Sequence, residues 1–378
     1  MPEKLSRILR TSKRPQAPST GRWLRAIDLF AGCGGLSLGV MQATYKKGRR
    51  LKIDLAVDSN ADALSVYADN FSSIAKDIVL SDVSELIDSS KLGAALTRAE
   101  KSALKPYAGA DIVVAGPPCQ GHSNLNNTSR RSDPRNILYI VPVRAALALR
   151  PKVVLIENVP SVSHSLEQIS QLSRRILLDL GYCVQEMTVE LSKLGVPQRR
   201  KRHLLVASLH EFDLDAELKK RFVRNEPALL DFIRDLEGEH LTSPAKPYVQ
   251  VPKTSVKNQE RIDYLFDNNV YDLPNGLRPA CHRDKVHSYV SMYGRMFPDR
   301  PAQTITSGFG SMGQGRFVHP TQRRMITAHE AARVQGFPDY FSFSSASGMT
   351  ALREMIGNAV PPTLAEVVTS ILIDRGIV

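Results

Sequence analysis

The sequence predicts an α/β protein built on a doubly wound sheet, with a smaller domain inserted late in the chain. Three observations predict it. Short apolar runs alternate with helical patterns from Arg25 to Ala207; a glycine-rich turn follows the first run; and the alternation lapses after Ser208 into a stretch rich in charge and proline. The apolar runs are Ala26 to Phe30, Ile53 to Val57, Ile112 to Ala115, Val153 to Ile156, Cys183 to Val189 and His203 to Ala207. Val162, Leu166, Ile169, Leu172, Ile176 and Leu180 fall at helical spacing and Gly181 stops the pattern, so this helix is core packing. Residues 21–207 form the expected main domain and 208–325, with Pro244, Pro247, Pro252, Pro274 and Pro279, the insertion; 326–378 act as a hinge and return to the first sheet through the apolar helix Thr363 to Ile377. Residues 1–20 carry Lys4, Arg7, Arg10, Lys13 and Arg14 against Glu3 alone and are expected to form a mobile basic arm.

Composition narrows the function. The 378 residues are 42% hydrophobic, enough for a packed core, and 50 Lys and Arg against 38 Asp and Glu give a net charge of +12. That excess favours a polyanionic partner such as nucleic acid. Four cysteines (Cys33, Cys119, Cys183, Cys281) form neither a disulfide framework nor paired zinc ligands. Cys281, His282 and His287 lack a fourth ligand, so no metal is expected. No apolar run approaches the ~20 residues that span a bilayer, and no signal peptide is visible, so a soluble cytoplasmic protein is expected.

Ile27 to Gly39 is a strand, a turn containing Gly32, Gly34 and Gly35, and a helix start. Glycines let the backbone approach a ligand, and the helix N-terminus offers free N–H donors. Asp58, ending the second strand, stands where an acidic residue holds ribose hydroxyls; Asp82 is placed to face an adenine amino group and Phe30 to stack on the ring. Taken singly, each is as readily a strand-end cap or a core aromatic; in this order they indicate a nucleoside-cofactor site.

A further strand leads into Gly116-Pro117-Pro118-Cys119-Gln120-Gly121, a rigid step that delivers a cysteine to the sheet edge. A lone cysteine is more often a buried small hydrophobe. Here, however, GPPCQG resembles the signature of the cytosine-5 DNA methyltransferase family, and other motifs of that family follow in order. They are Asp133-Pro-Arg135-Asn136-Ile-Leu138, Glu157-Asn158-Val159, Gln198-Arg-Arg200-Lys-Arg202, Arg300 to Thr306, Gln335-Gly-Phe-Pro338 with Glu330 and Arg333, and Gly357-Asn358-Ala359-Val360-Pro-Pro362. The likeness covers nearly the whole chain outside residues 1–20 and 208–288.

The resemblance implies a Rossmann-like methyltransferase sheet, S-adenosylmethionine as methyl donor, and a duplex DNA substrate whose cytosine is flipped out of the stack. It makes Cys119 the nucleophile that adds to cytosine carbon 6 and Glu157 the carboxyl group that protonates or hydrogen-bonds nitrogen 3. Arg202 is assigned to the base carbonyl and thiolate region, and Arg200 to supporting the Cys119 loop or Glu157, both from one strand face; a basic run that simply binds phosphate is the plainer alternative. The implied cofactor contacts are Phe30, Gly32, Gly34, Gly35, Leu36, Asp58, Asp82, Val83, Pro118, Leu138, Asn358 and Val360. The loop Gln120 to Asn136 would close over the base, with Arg130, Arg131 and Arg135 on phosphates. His122 stands where the family commonly has Phe, Asp58 where it has Glu, and Pro142 interrupts a helix that is usually unbroken.

Between the QxRxR and RPAQTIT motifs, the segment 208–299 would supply base contacts, with candidates Lys253, Lys257, Asn258, Arg261, Asn275, Arg278, His282 and Arg283. The expected enzyme is a monomer of restriction-modification type, with a cognate endonuclease as a functional partner. Two alternatives carry different tests: a transfer RNA cytosine-5 methyltransferase would label RNA and spare duplex DNA, and a catalytically silent DNA-binding regulator would bind without modifying. A dehydrogenase has no use for the Pro-Pro-Cys loop.

Overall fold

A computed structural model describes residues 2–88, 90, 93–118, 134–164, 168–242, 246–284 and 291–378. By its contacts the chain divides into two compact units: one of residues 14–194, 201–222 and 360–378, the other of 1–13, 195–200 and 223–359.

The first unit is the sheet. Strands β1 (Trp23–Leu29), β2 (Arg50–Asp58), β3 (Ala75–Leu80), β4 (Ile112–Ala115), β5 (Val153–Asn158), β6 (Cys183–Glu190) and β8 (Lys201–Ser208) run in the order β3-β2-β1-β4-β5-β8-β6. Strands β1 to β5 pair in parallel, and β8 is antiparallel to both β5 and β6. This is the α/β doubly wound architecture that the alternation predicts, and each predicted apolar run falls in a strand except that Phe30 lies just past the end of β1. The fully buried β4 and the apolar start of β5 read as unbroken apolar runs because helices cover both faces of a parallel sheet. Ile27, Leu29, Val57, Val113 and Ala115 pack with Val141, Ala145 and Leu149, and Val154, Ile156, Leu205 and Ala207 with Tyr139, Ile169 and Leu177. The helices Gly35–Lys46 and Pro362–Asp374 lie close together: a Cβ on Gly39 would sit 2.2 Å from the Pro362 carbonyl oxygen. Strand order reverses between β1 and β4, so the loops leaving their carboxyl ends flank the crevice where α/β sheets bind ligands.

Two local expectations are corrected here. Pro142 does not interrupt a helix; it occupies the first turn of Val141–Leu149, where a missing N–H costs nothing. The helix expected from Val162 is a 3-10 turn, Pro160–His164, and a separate α-helix, Ile169–Asp179, which Gly181 ends at φ +82°.

The second unit holds the two-stranded pair β7 (Gln198–Arg199) and β9 (Ala302–Gln303), the helix Val256–Asp267, and the buried helix Ala328–Gln335, which begins with a Thr327–Glu330 capping box. It also holds the N-terminus, which is not the mobile arm its charges suggest. Pro2–Leu9 is a helix; Leu9 is 1% exposed, the Ser6 hydroxyl donates to the Asp231 carbonyl at 2.7 Å, and the Asp339 N–H to that of Leu9 at 2.9 Å. Leu5 and Leu9, one turn apart, give the segment an apolar stripe that a charge count conceals.

The expectation about apolar runs is corrected too. Met349–Asp374 is long and apolar enough to cross a membrane by length and composition. Its most apolar stretch is 78% buried, and it divides into the helices Met349–Asn358 and Pro362–Asp374 around Pro361, which marks core packing.

Candidate active site

In the sheet unit, the chain leaves β1 through a sharply turned loop. Phe30 (φ 63°), Gly32 (φ 53°) and Gly34 (φ 99°) all take left-handed backbone, which glycine adopts without strain and which phenylalanine adopts only when its surroundings hold it there. The three glycines serve different ends. A Cβ on Gly34 would strike Phe71 at 2.3 Å and one on Gly35 the Val360 carbonyl at 2.2 Å, whereas among the described residues beyond its chain neighbours none comes within 4 Å of that position on Gly32. The loop is thus packed tightly from behind and open above Gly32. Asp58, at the end of β2, fixes it: Oδ2 accepts the Gly32 N–H and Oδ1 the Asn60 N–H, each at 2.8 Å. This open cradle beside a carboxylate fits the nucleoside and amino-acid ends of S-adenosylmethionine.

Of the other cofactor candidates in this unit, Phe30 and Leu138 are part-buried against the β1–β4 core, Leu36 and Val83 are buried, and Pro118 and Val360 are partly exposed. Asp82 is exposed and caps the short helix Val83–Leu86, accepting from the Ser84 N–H at 2.9 Å. Asn358 is exposed and belongs to the other unit.

Strand β5 ends in the acid. Glu157 is buried, and Oε1 lies 2.6 Å from the Arg202 Nε, with side-chain exposures of 7% and 12%. The approach is that of an ion pair and not of an aligned hydrogen bond, since among the described residues Oε1 has no hydrogen-bond partner. Oε2 faces Gly116: a Cβ there would be 3.7 Å from it, 3.3 Å from Val360 and 3.8 Å from Leu36. Asn158 donates its amide to the Pro117 carbonyl at 3.2 Å, so the acid strand is tied to the step before the cysteine. Cys119, His122, Arg130 and Arg131 lie outside the described residues.

The two arginines part company. They do not share a strand face: Arg202 starts within β8, while Arg200 lies in the bend before it and in the other unit. Arg200 is buried and donates to the carbonyls of Ile305 (2.9 Å), Gly357 (3.4 Å) and Ala359 (3.1 Å). The expected alternation fails because the chain bends between β7 and β8, so two residues no longer mean one face. Gln198 works beside Arg200, donating to the Gln335 side chain at 2.6 Å and accepting the Ile305 N–H at 3.2 Å.

Sequence reasoning missed Asp28. It is fully buried under the glycine turn; the Ser37 hydroxyl donates to Oδ2 at 2.6 Å and lies 2.8 Å from the Tyr67 hydroxyl, while among the described residues Oδ1 has no hydrogen-bond partner. Burial pushes its pKa up to about 7, partly offset by the Ser37 hydrogen bond and reinforced by the charge of Asp58. The available signal was a carboxylate inside the apolar run Ala26 to Phe30 with serine nine residues on.

The base-reading candidates also divide. Arg261 bonds the Leu277 carbonyl and the Asn258 side chain, Arg278 the Leu273 carbonyl, Asn275 the Arg283 carbonyl, and Arg283 pairs with Asp284. Lys253 and Lys257 are exposed, and His282 packs edge-on against Tyr293.

Comparison with known proteins agrees with this geometry. The family description "C-5 cytosine-specific DNA methylase" matches residues 24–373. The type II methyltransferase M1.BsuMI of Bacillus subtilis is 42% identical over 360 residues, covering 94% of this chain and 82% of that protein. The type II methyltransferase M.DdeI of Desulfomicrobium norvegicum is 27% identical, covering 91% and 87%. Among solved structures, Schizosaccharomyces pombe Dnmt2 methyltransferase (TM-score 0.62, 19% identity, 93% and 99% covered) and a putative prophage DNA modification methyltransferase from Escherichia coli (TM-score 0.59, 22% identity, 93% and 99% covered) share the fold. With the family matched from one end of the sheet to the last helix, the chain belongs to the C-5 cytosine-specific DNA methylases and is a DNA (cytosine-5-)-methyltransferase.

Proposed function

We propose that this methyltransferase acts on a flipped-out cytosine in a specific duplex sequence, through a covalent adduct on Cys119. Carbon 5 of cytosine is a poor nucleophile, and adding a thiolate to carbon 6 moves electron density onto it. Glu157 then supplies a proton or a hydrogen bond at nitrogen 3, so that charge does not build up on the ring. The observation that carries this reading is the placement of Glu157: Oε1 is held by Arg202, and Oε2 faces Gly116, three residues before Cys119. Arg202 keeps the carboxyl aimed, and Asn158, through the Pro117 carbonyl, keeps the step to Cys119 in register with it.

S-adenosylmethionine, the donor of this family, supplies an electrophilic methyl group when bound. The residues proposed to hold it are Phe30, Gly32, Gly34, Gly35, Leu36, Asp58, Asp82, Val83, Pro118, Leu138, Asn358 and Val360. After methylation the carbon 5 proton leaves to a base, its bonding pair restores the ring double bond, and Cys119 departs as thiolate. Residues 208–325 are proposed to select the target sequence and the enzyme to act as a monomer beside a cognate endonuclease. Arg200, given its carbonyl partners, acts as a positioning residue.

Cys119→Ser should abolish methylation, and 5-fluorocytosine in the target should trap a covalent complex through Cys119, read by denaturing electrophoresis and peptide mapping. Full activity in that variant, or an adduct at another residue, overturns the route while leaving the enzyme class intact.

A further inference from the structure

In the unit that contains β7 and β9, the buried or part-buried arginines have their charge answered. Arg200 donates to three carbonyls, Arg316 reaches the Tyr271 and Arg295 carbonyls and Asp272, Arg324 pairs with Glu330, and Arg333 with Asp235 and Asp339. Arg353, in the middle of the helix Met349–Asn358, differs. It is part-buried; its Nε, like those of Arg200 and Arg316, is sealed without a hydrogen-bond partner, but among the described residues no carboxylate or carbonyl answers its charge. A part-buried guanidinium with no protein partner keeps its Nη donors available to a ligand, and a charge left unanswered in this way calls for an explanation.

The surroundings are shaped to hold it. Its guanidinium lies against Gly310, where a Cβ would stand 2.2 Å from both Cζ and Nε and 2.3 Å from Nη2, so any side chain at 310 would displace it. Gly310 lies in Thr306–Gly315, a run of tight turns closed by the bonds Phe309 N–H to Thr306 (3.1 Å), Ser311 N–H to Gly308 (2.9 Å) and Gln314 N–H to Ser311 (3.2 Å). The loop thus seats the cation with its Nε turned inward and leaves the Nη nitrogens for a ligand.

We propose that Arg353, seated on Gly310, is a contact for a backbone phosphate of the DNA substrate. A guanidinium fork matches two phosphate oxygens, and the polyanion that this enzyme methylates supplies that group. A phosphate contact carries no sequence information, which sets Arg353 apart from residues that read bases.

The test is DNA binding across a salt series, with one duplex that the enzyme methylates and one of shuffled sequence. Arg353→Ala should lose roughly tenfold in affinity for both duplexes at low salt, and the slope of log Kd against log salt should fall by about 0.9, the value for one phosphate. Arg353→Lys should keep the slope. Gly310→Ala, which pushes the guanidinium aside, should act in the same direction as Arg353→Ala; if the alanine variant does not fold, Arg353→Gln removes the charge while keeping the stem. Unchanged slopes in the charge-removing variants overturn the proposal. So does a loss confined to the methylated duplex, which would mark a base reader, or a rise in the KM for S-adenosylmethionine with DNA affinity intact, which would make the anion the cofactor's carboxylate.

Discussion

Arg202 and Glu157 form a nearly dry ion pair, and removing one partner strands the other. Arg202→Ala should therefore cost about 3 kcal/mol in urea unfolding and lower kcat by roughly a hundredfold. A variant with wild-type kcat would deny Arg202 any part in aiming the acid. Asp28 makes a different prediction. Its folded pKa, near 7, lies above that of an unfolded aspartate, so the native state binds this proton more tightly. The associated stability is full below about pH 4 and is lost as pH rises toward 7, a change of a few kcal/mol. Asp28→Asn should flatten that decline and melt higher than wild type at pH 8; a parallel pH dependence in the two proteins would count against it. At this scale the sequence was legible where a residue's place follows from its motif, as with Glu157 at the end of a strand and the glycines in the turn after β1. It was not legible where a role depends on which way the chain bends, as with Arg200 two residues from Arg202, or on how completely a carboxylate is covered, as with Asp28.

Among elements, the helix Ala328–Gln335 concentrates the opposed linkages. Burial alone would raise the pKa of Glu330, but hydrogen bonds and charge from Arg324 and His319 outweigh it and hold the carboxyl down to about 2. Its contribution is present above the unfolded value of ~4.3 and lost as pH falls toward 2. His329 is the reverse. Burial disfavours its charged form, yet Asp339 and Glu239, bonded to its two ring nitrogens at 3.0 and 2.6 Å, raise its pKa above the ordinary value. The stability it adds is complete below ~6.5 and lost as pH rises through the folded pKa. His329→Gln should thus destabilise more at pH 6 than at pH 9, and Glu330→Gln more at pH 7 than at pH 3, both measured by denaturant midpoints. Strands such as β4 were plain in the sequence because a covered parallel sheet needs unbroken apolar runs. The N-terminal helix was hidden because Leu5 and Leu9 give only a weak stripe in a segment whose five cations dominate the count. The antiparallel insertion of β8 between β5 and β6 was hidden because strand direction leaves no mark on composition.

At the scale of the molecule, fold class and enzyme class were both legible, since each depends on patterns that survive in linear order: strand, glycine turn, helix, then the ordered motifs that follow. The partition of the chain was less so. It passes between the two compact units at residues 13/14, 194/195, 200/201, 222/223 and 359/360, and the short excursion 195–200 is the hardest to foresee. That excursion bears on hybrid enzymes. A graft that exchanges residues 208–325 with those of a relative would retain Gln198 and Arg200 from the host while importing a foreign Ile305 backbone for both to grip. Moving 195–200 together with 223–359 carries lock and key from one parent, and such chimaeras should come out of expression soluble and active more often than those spliced at the apparent borders of the variable region.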